Sequence, residues 1–541
     1  MNYLLRVEAV NLGHFVYDTN KIQPTRGGSF LLLDSVQKLD GETILGAKLK
    51  KITTGASIGL YRFTAENGVK PEDVADEALK VLNTATGDHA TFAVAYVKDT
   101  GNFKVDLLKL QTKVRWQQYQ QPTLILPKTI PPTKEECSFD GVRPAVDQFL
   151  KKSASKSVKH RADKGRKLRQ QIYKNILGTE TYAKVINNIK SKDTGGKDDR
   201  DIVTDDIQEL AYHKDMGNLN NKIAFIYLDG NKFTKIRNNL CEKSEELTAF
   251  SKEVEESRIK FLAALLTKAE KDKTFKTEDE IIRLETLLWG GDELEIIVPA
   301  WKGWEVLHDF FDAMKNVNFI KEATGEKAPL THAGGIVFCN CKAPIREIRR
   351  MAHELSDMAK EAIKPAFETI ESIKTQVSHE KHDTFHFLAL ESFDTVGGKI
   401  KPFAQNYFGK TIWDNMRLNA DDMAKLNTAI DTMKKNGFPR NKIFDIVREV
   451  KKRVEAREAI RSNGQDTSLL KKEQTEQMHA YLEKVLDGVE NKDVIINKIA
   501  NFIGYNIEED KIKGDKITGG EIERWFVISE LWDYVATGGK A

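Results

Sequence analysis

Apolar and polar positions along this chain change rhythm often enough to lay out its elements. In the middle, "KIAFIYLDGNKF" is a continuous apolar run ending at Asp229, which predicts a buried strand. A charged amphipathic pattern follows from about residue 234 to 271 and predicts one long helix. "IIRLETLLW" and "ELEIIVPA" flank Gly290 and Gly291 and predict a hairpin; a helix with Trp304, Leu307, Phe311 and Met314 at 3/4 spacing comes next. "GGIVFCNC" is a strand, "PIREIRRMAHELSDMAKEAI" a helix with Pro344 at its first turn, and "TFHFLAL" another strand. The order is β-α-β-β-α-β-α-β, and its first six elements are the split βαβ unit of a ferredoxin-like sheet.

The first 135 residues repeat that order more loosely. "YLLRVEAV" is a strand, "GGSFLLLDSVQKL" a helix, "TILGAKLKKITTGASIGLYRF" a hairpin and "PEDVADEALKVL" a helix. "TFAVAYV", the helix "FKVDLLKLQTKVRWQQY" and a last strand, "TLILP", complete the unit, which reads as an internal duplication. The fold class is therefore α+β. Residues 1–135 form a degenerate first unit, 136–220 a basic helical linker, 221–400 the second unit and 401–541 a separate helical bundle. "NADDMAKLNTAIDTMKKNG" in the bundle has Asn419 as N-cap and Gly437 as stop. "SKDTGGKDDRD", residues 191–201, reads as a polar loop.

Composition narrows the class. The 541 residues are 40% apolar and 30% charged, those of a globular protein, with no apolar run near the roughly 18 residues that span a bilayer. The N-terminus lacks the pattern of a signal peptide, and four cysteines in so long a chain suit a reducing compartment, so a cytoplasmic protein with no membrane partner is expected. A net charge of +3 is small but uneven: residues 151–175 carry ten Lys/Arg against one Asp. That run is either a solvated helix or a phosphate-backbone contact, for which Lys159, Arg161, Arg166, Lys167 and Arg169 are the candidates.

The sharpest chemistry lies at the second hairpin. In a ferredoxin-like sheet the first and third strands are central antiparallel neighbours, so the end of one lies beside the start of the other. Asp229 and Asp292 thus converge, with Gly230, Gly290 and Gly291 leaving the backbone room for a bulky ligand. Paired carboxylates repel unless a cation or proton lies between them, and oxygen-only ligands suit Mg²⁺ or Mn²⁺. Two such ions would serve phosphoryl or nucleotidyl transfer. Each motif alone is also an ordinary turn. The first unit carries "TTGAS" at its tip, with no carboxylate.

"YLDGNKF" followed by "WGGDE" resembles the palm of nucleotidyl cyclases, the GGDEF family and its relatives. More closely, "GGSFLLLDSV", "WGGDELEIIVP" and "AGGIVFCNCKAPIREIRRMAHELSDMAKEA" resemble the large polymerase/cyclase subunit of type III CRISPR effector complexes. The resemblance runs through essentially the whole chain in order. It implies two palm domains, only the second active, a small zinc-ribbon-like insertion between them and a helical C-terminal domain. "CSFDGVRPA" resembles the start of that ribbon, but Asp140 stands where a second cysteine would be, so no structural zinc is expected; Cys339 and Cys341 read as core and edge residues.

The resemblance places metal ligation on Asp229, the Gly230 carbonyl, Asp292 and Glu293, the last standing where the family often has Asp. It places Lys360 at the triphosphate; Asn231, Lys232 and Asn238 follow Asp229 closely enough in sequence to touch a nucleotide. It implies ATP as substrate, cyclic oligoadenylate as product, and guide RNA, target RNA and other CRISPR effector subunits as partners. The chain begins directly with the first palm, so an HD nuclease is not expected; His308-Asp309 and His382-Asp383 lie inside palm elements. Two alternatives stand beside this reading. One is a catalytically silent RNA-binding scaffold. The other is a diguanylate cyclase, against which Leu294 replaces the motif's Phe and Arg283 is followed three later by Thr286 in place of an inhibitory Arg-x-x-Asp.

Overall fold

The computed structural model describes residues 1–66, 68–122, 124–125, 135–189, 201–391, 396, 398–508 and 516–535. The first unit runs β1 (Asn2–Val10), α1 (Ile22–Gln37), β2 (Lys50–Gly55), β3 (Ile58–Thr64), α2 (Pro71–Ala85), β4 (Thr91–Lys98) and α3 (Phe103–Tyr119). Its sheet has the order β2-β3-β1-β4, all neighbours antiparallel, as the split βαβ reading requires. Pro71 opens α2 with Glu72 and Asp73 in the first turn, and the Asn102 side chain caps α3 by accepting from the Val105 amide. In "TLILP", Leu124 and Ile125 lie outside any strand and the other three positions fall outside the described residues.

Helix α4 (Lys156–Leu177) leads toward the second unit. That unit has β5 (Lys222–Gly230), α5 (Phe233–Leu240), α6 (Ser244–Lys271), β6 (Glu285–Gly290), β7 (Glu293–Pro299) and α7 (Ala300–Met314). β8 (His332–Asn340), α8 (Ile345–Ile363) and β9 (Thr384–Ala389) complete it. The order β6-β7-β5-β8 repeats the first sheet, with β9 added parallel to β8. The long helix expected over 234–271 is two helices. Cys241 takes an extended conformation, and the Glu246 carboxylate accepts from the amides of Glu242 and Lys243, which starts a new helix there. A short hairpin, Asn318–Lys321 with Glu326–Pro329, was not anticipated.

The C-terminal region is helical, with α9 (Ala420–Lys435), α10 (Arg440–Ser462), α11 (Ser468–Val485), α12 (Lys492–Ile503) and α13 (Trp525–Leu531). It is not the separate bundle expected. Leu418 and Asn419 pair with β9, Phe338 stacks on Tyr534 with ring centroids 4.0 Å apart, and one continuous buried apolar cluster runs from the palm into these helices. Apolar area shared this way ties the two into one folding unit.

The basic linker is also corrected. Arg161 and Arg169 are fully buried, so they are not phosphate contacts. Arg161 meets Asp18 at 2.8 Å, and Arg169 meets Asp201 at 2.6 Å, Asp205 at 2.7 Å and Glu285 at 2.9 Å. Arg26 of α1 binds the same Glu285 and Asp205. Lys159 pairs with Asp163 and Arg166 with Asp205, while Lys167 is exposed. Asp201, read as part of a polar loop, is buried in this cluster; residues 191–200 fall outside the described residues. Helices α1 and α4 touch backbone to backbone: a Cβ on Gly27 would lie 1.8 Å from the Arg161 carbonyl oxygen, and one on Gly165 2.2 Å from the Gly27 Cα. In the segment likened to a zinc ribbon, the Asp140 carboxylate accepts from the amides of Val142 and Arg143 and from the Ser155 hydroxyl, and Cys137 is buried and free.

Glu285→Ala would leave two buried guanidiniums short of a carboxylate, and a loss of about 3–5 kcal/mol is expected from chemical denaturation. Lys167→Ala, on the exposed face of the same helix, should change stability by less than about 0.5 kcal/mol.

Candidate active site

The register of the second sheet sets Asp229 directly opposite Glu293, with Asp292 in the two-residue turn that joins β6 to β7. Strand alternation then puts Tyr227, Asp229, Glu293 and Glu295 on one face, the one α8 covers. Helix α8 answers with basic side chains on a single stripe. Arg349 Nε donates to Glu295 at 2.6 Å, His353 Nε2 lies 2.9 Å from the same carboxylate, and the Lys360 ammonium is ion-paired with Asp229. The Tyr227 hydroxyl donates to Glu293 at 3.1 Å while its ring stacks on His353 at 3.5 Å. Burial, opposed by Lys360 but reinforced by Asp292, pushes the Asp229 carboxyl up to about 6. Burial and Asp292 also raise Glu293.

The first unit closes one side of this site. Its β2–β3 tip packs on the tip of β6–β7: a Cβ on Gly290 would lie 2.4 Å from the Ala56 Cα, and one on Gly55 3.3 Å from the Gly291 Cα. Helix α6 holds the tip, with Thr53 Oγ1 2.7 Å from Ser251 Oγ and the Thr248 hydroxyl donating to the Ile52 carbonyl at 2.9 Å. The glycines are therefore corrected in part. The space beside Gly290 is filled by Ala56 and that beside Gly230 by the Phe233 ring; only Gly291, at φ +62°, faces open space.

Asn231 is corrected as well. It is buried, and its amide nitrogen donates to Thr331 Oγ1 at 3.1 Å and to the His382 carbonyl at 2.9 Å, which commits it to joining β5, β8 and the loop before β9. Lys232, at φ +56°, precedes α5 and is exposed, as is Asn238. Asp383 is buried against His379 at 2.7 Å rather than paired with His382, and His308 meets Asp309 only at 4.0 Å, so both pairs belong to the scaffold.

Residues that the sequence reading missed surround the tip. Arg258 of α6 is buried, lies over the Trp289 ring at 5.2 Å and reaches the Glu293 carbonyl at 3.5 Å; burial lowers its pKa to about 10. Tyr17, from the loop after β1, sits 3.6 Å from the Arg349 guanidinium and so links the first unit to the stripe on α8. The 349/353/360 spacing of Arg, His and Lys was the available signal for that stripe; nothing local marks Tyr17.

Among the described residues, no three His, Cys, Asp or Glu side chains stand close enough together to hold a metal ion, since Glu293 is turned to Tyr227 and Lys360 occupies Asp229. The donor chemistry nonetheless fits a hard divalent cation. Asp229, Asp292 and the Gly230 carbonyl offer oxygen alone, the donor set a hard divalent cation takes.

Fold and site define a class: paired ferredoxin-like palms in contact at their hairpin tips, one tip acidic and one not. Solved structures share the fold. A chain of a Csm1–Csm4 cassette in complex with cA4 matches with a TM-score of 0.51 at 11% identity, over 98% of this chain and 70% of that one. A chain of the cassette in complex with pppApA matches at 0.51 and 10% identity, over 99% and 69%. At such identities the likeness shows the fold. No protein-family model and no curated protein sequence matches the chain. Among the described residues no helix is long and apolar enough to cross a membrane.

A carboxyl raised on folding favours the folded state while protonated and loses that contribution as pH rises toward and past 6. Without divalent ions, the parent protein should therefore lose on the order of 2 kcal/mol relative to Asp229→Asn between pH 4 and pH 7, read by denaturant melts. Millimolar Mg²⁺ or Mn²⁺ should raise the melting temperature of the parent at pH 7 and leave the variant unmoved.

Proposed function

We propose that the protein is a metal-dependent nucleotidyltransferase that joins ATP into cyclic oligoadenylates as the large subunit of a type III CRISPR effector complex. Guide RNA, target RNA and other subunits of the complex are its partners in this reading, with target RNA as activator. The observation that carries it is the meeting of Asp229 with the Gly-Gly-Asp-Glu tip where the two palms touch. The likeness in fold to chains solved with cA4 and pppApA supports the choice of nucleotide.

The reaction forms a bond from one nucleotide's ribose hydroxyl oxygen to the α-phosphorus of another. The α–β phosphoanhydride bond breaks, pyrophosphate leaves and the hydroxyl proton passes to solvent. Bound Mg²⁺ or Mn²⁺ would lower the pKa of the attacking hydroxyl and offset charge on the phosphates. Asp229 and Asp292 would hold it with the Gly230 carbonyl. Lys360, ion-paired with Asp229, would pair with the triphosphate in this reading, and the exposed Lys232, near Asp229 in sequence, would join it. Glu293 stays with Tyr227 and orients the tip. The same two contacts, Lys360 on Asp229 and Tyr227 on Glu293, would equally let the acids rest without a metal, which is the feature that favours a silent RNA-binding scaffold as second reading.

The test is to incubate the assembled, target-bound complex with labelled ATP or GTP and Mg²⁺ or Mn²⁺. Cyclic oligoadenylate with pyrophosphate is expected, falling at least about a hundredfold in Asp292→Ala and roughly tenfold or less in Glu293→Gln. No product from a demonstrably assembled complex leaves the scaffold, and cyclic di-GMP establishes a diguanylate cyclase instead.

A further inference from the structure

Arg161 and Arg169 are buried, while Lys164, Lys167 and Lys174 stay exposed on α4; a second cationic surface, on α3 of the first palm, is joined by exposed rings. Val105, Leu108, Trp116 and Tyr119 fall on one stripe at 3/4-type spacing and are 43%, 65%, 65% and 80% exposed. Thr112 lies on the same line, so the stripe runs roughly 21 Å along the helix axis. Cations flank it on both sides: Lys109 and Lys113 along one edge, Lys104 and Arg115 along the other. Lys109 has no carboxylate partner among the described residues. Lys113 rests over the Tyr96 ring and Arg115 donates to the Gln118 amide at 2.8 Å, so neither charge is neutralised. Lys104 alone reaches a carboxylate, Glu242 at 3.4 Å.

No exposed acid offsets them on the helix. Asp106 is buried and accepts from the Thr100 amide and hydroxyl, and Glu8, beside the C-terminal half, accepts from Gln118 and Arg6. The two most exposed large rings among the described residues stand at that end among Gln117, Gln120 and Gln121. Exposed aromatic faces beside uncompensated cations are the chemistry that stacks bases while holding a phosphate backbone. Glutamine amides add donors and acceptors for ribose 2′-hydroxyls. A protein partner would have to supply acids along both edges, whereas a polyanion supplies that charge along its length.

We infer that α3 is a binding surface for single-stranded RNA, with Trp116 and Tyr119 as stacking platforms and Lys109, Lys113 and Arg115 as backbone contacts. The inference stands apart from the chemistry at Asp229 and Asp292.

The full chain would be titrated against a fluorescein-labelled oligouridylate of about twelve nucleotides, within the usual site size, by anisotropy at several salt concentrations. Trp116→Ala with Tyr119→Ala should weaken binding by about tenfold or more, and Trp116→Phe should keep most of the affinity. Lys109→Ala with Arg115→Ala should lower the salt slope by about 1.4, at ~0.7 per lost phosphate contact. All these side chains are exposed, and unchanged melting curves will establish that each variant is folded. The inference is overturned if the parent does not bind, if the double aromatic variant binds within about twofold of the parent, or if Trp116→Phe loses as much as Trp116→Ala. Equal affinity for the matching oligothymidylate would overturn the assignment to RNA, and an unchanged RNA affinity with loss of a protein subunit would make the stripe a protein interface.

Discussion

The buried Glu285 carboxylate is the joint on which the arrangement of this molecule depends. It opens β6, the strand that runs to the acidic tip, and it is gripped by Arg26 from the first palm and Arg169 from the linker helix. Charges taken out of water are costly unless each finds its partners, so three separate stretches of chain must arrive together or not at all. The backbone contact between Gly27 and Gly165 makes that meeting possible, because any side chain there would separate α1 from α4 and draw the guanidiniums off their acids. What results is a pair of palms fixed at one relative angle, and only at that angle do the two hairpin tips touch.

A second layer of order lies between β5–β7 and α8. The sheet presents Tyr227, Asp229, Glu293 and Glu295 in two short columns, and the helix covers them with Arg349, His353 and Lys360. The stripe is graded. At one end Glu295 is wholly buried and doubly paired, a structural charge; at the other, Asp229 is partly open and paired only with a long, mobile-chained lysine. The stripe is thus most open at Asp229, beside the turn that carries Asp292.

Much of this was legible in sequence. Period-two and 3.6-residue patterns mark both palms, and the ferredoxin-like order by itself brings Asp229 beside the Gly-Gly-Asp-Glu turn, which the register of Asp229 with Glu293 matches. What stayed hidden has a common cause. The run at 151–175 has the composition of a solvated face, and whether a cation in it is buried depends on acids far away along the chain: Asp18 lies 143 positions from Arg161, and Glu285 lies 116 from Arg169. The glycines were read as clearance for a ligand, but clearance at Gly290 is measured against Ala56, a residue of the other palm. The break at Cys241 was masked because the polarity pattern continues through it while the Glu246 cap resets the helix. Local rhythm specifies elements; long-range pairing decides which polar groups are used up inside.

The mismatch between the two hairpin tips then takes on an electrostatic meaning. Two acidic tips pressed together at the distance from Ala56 to Gly290 would crowd like charges from both units into one seam. The first unit's tip carries no carboxylate, which avoids that repulsion and sets an uncharged wall of Thr54, Gly55 and Ala56 against the other. The first palm is in this sense a fitted neighbour: with no charge at its own tip it lets the acidic tip be approached closely, covered on one side and left open at Gly291 on the other.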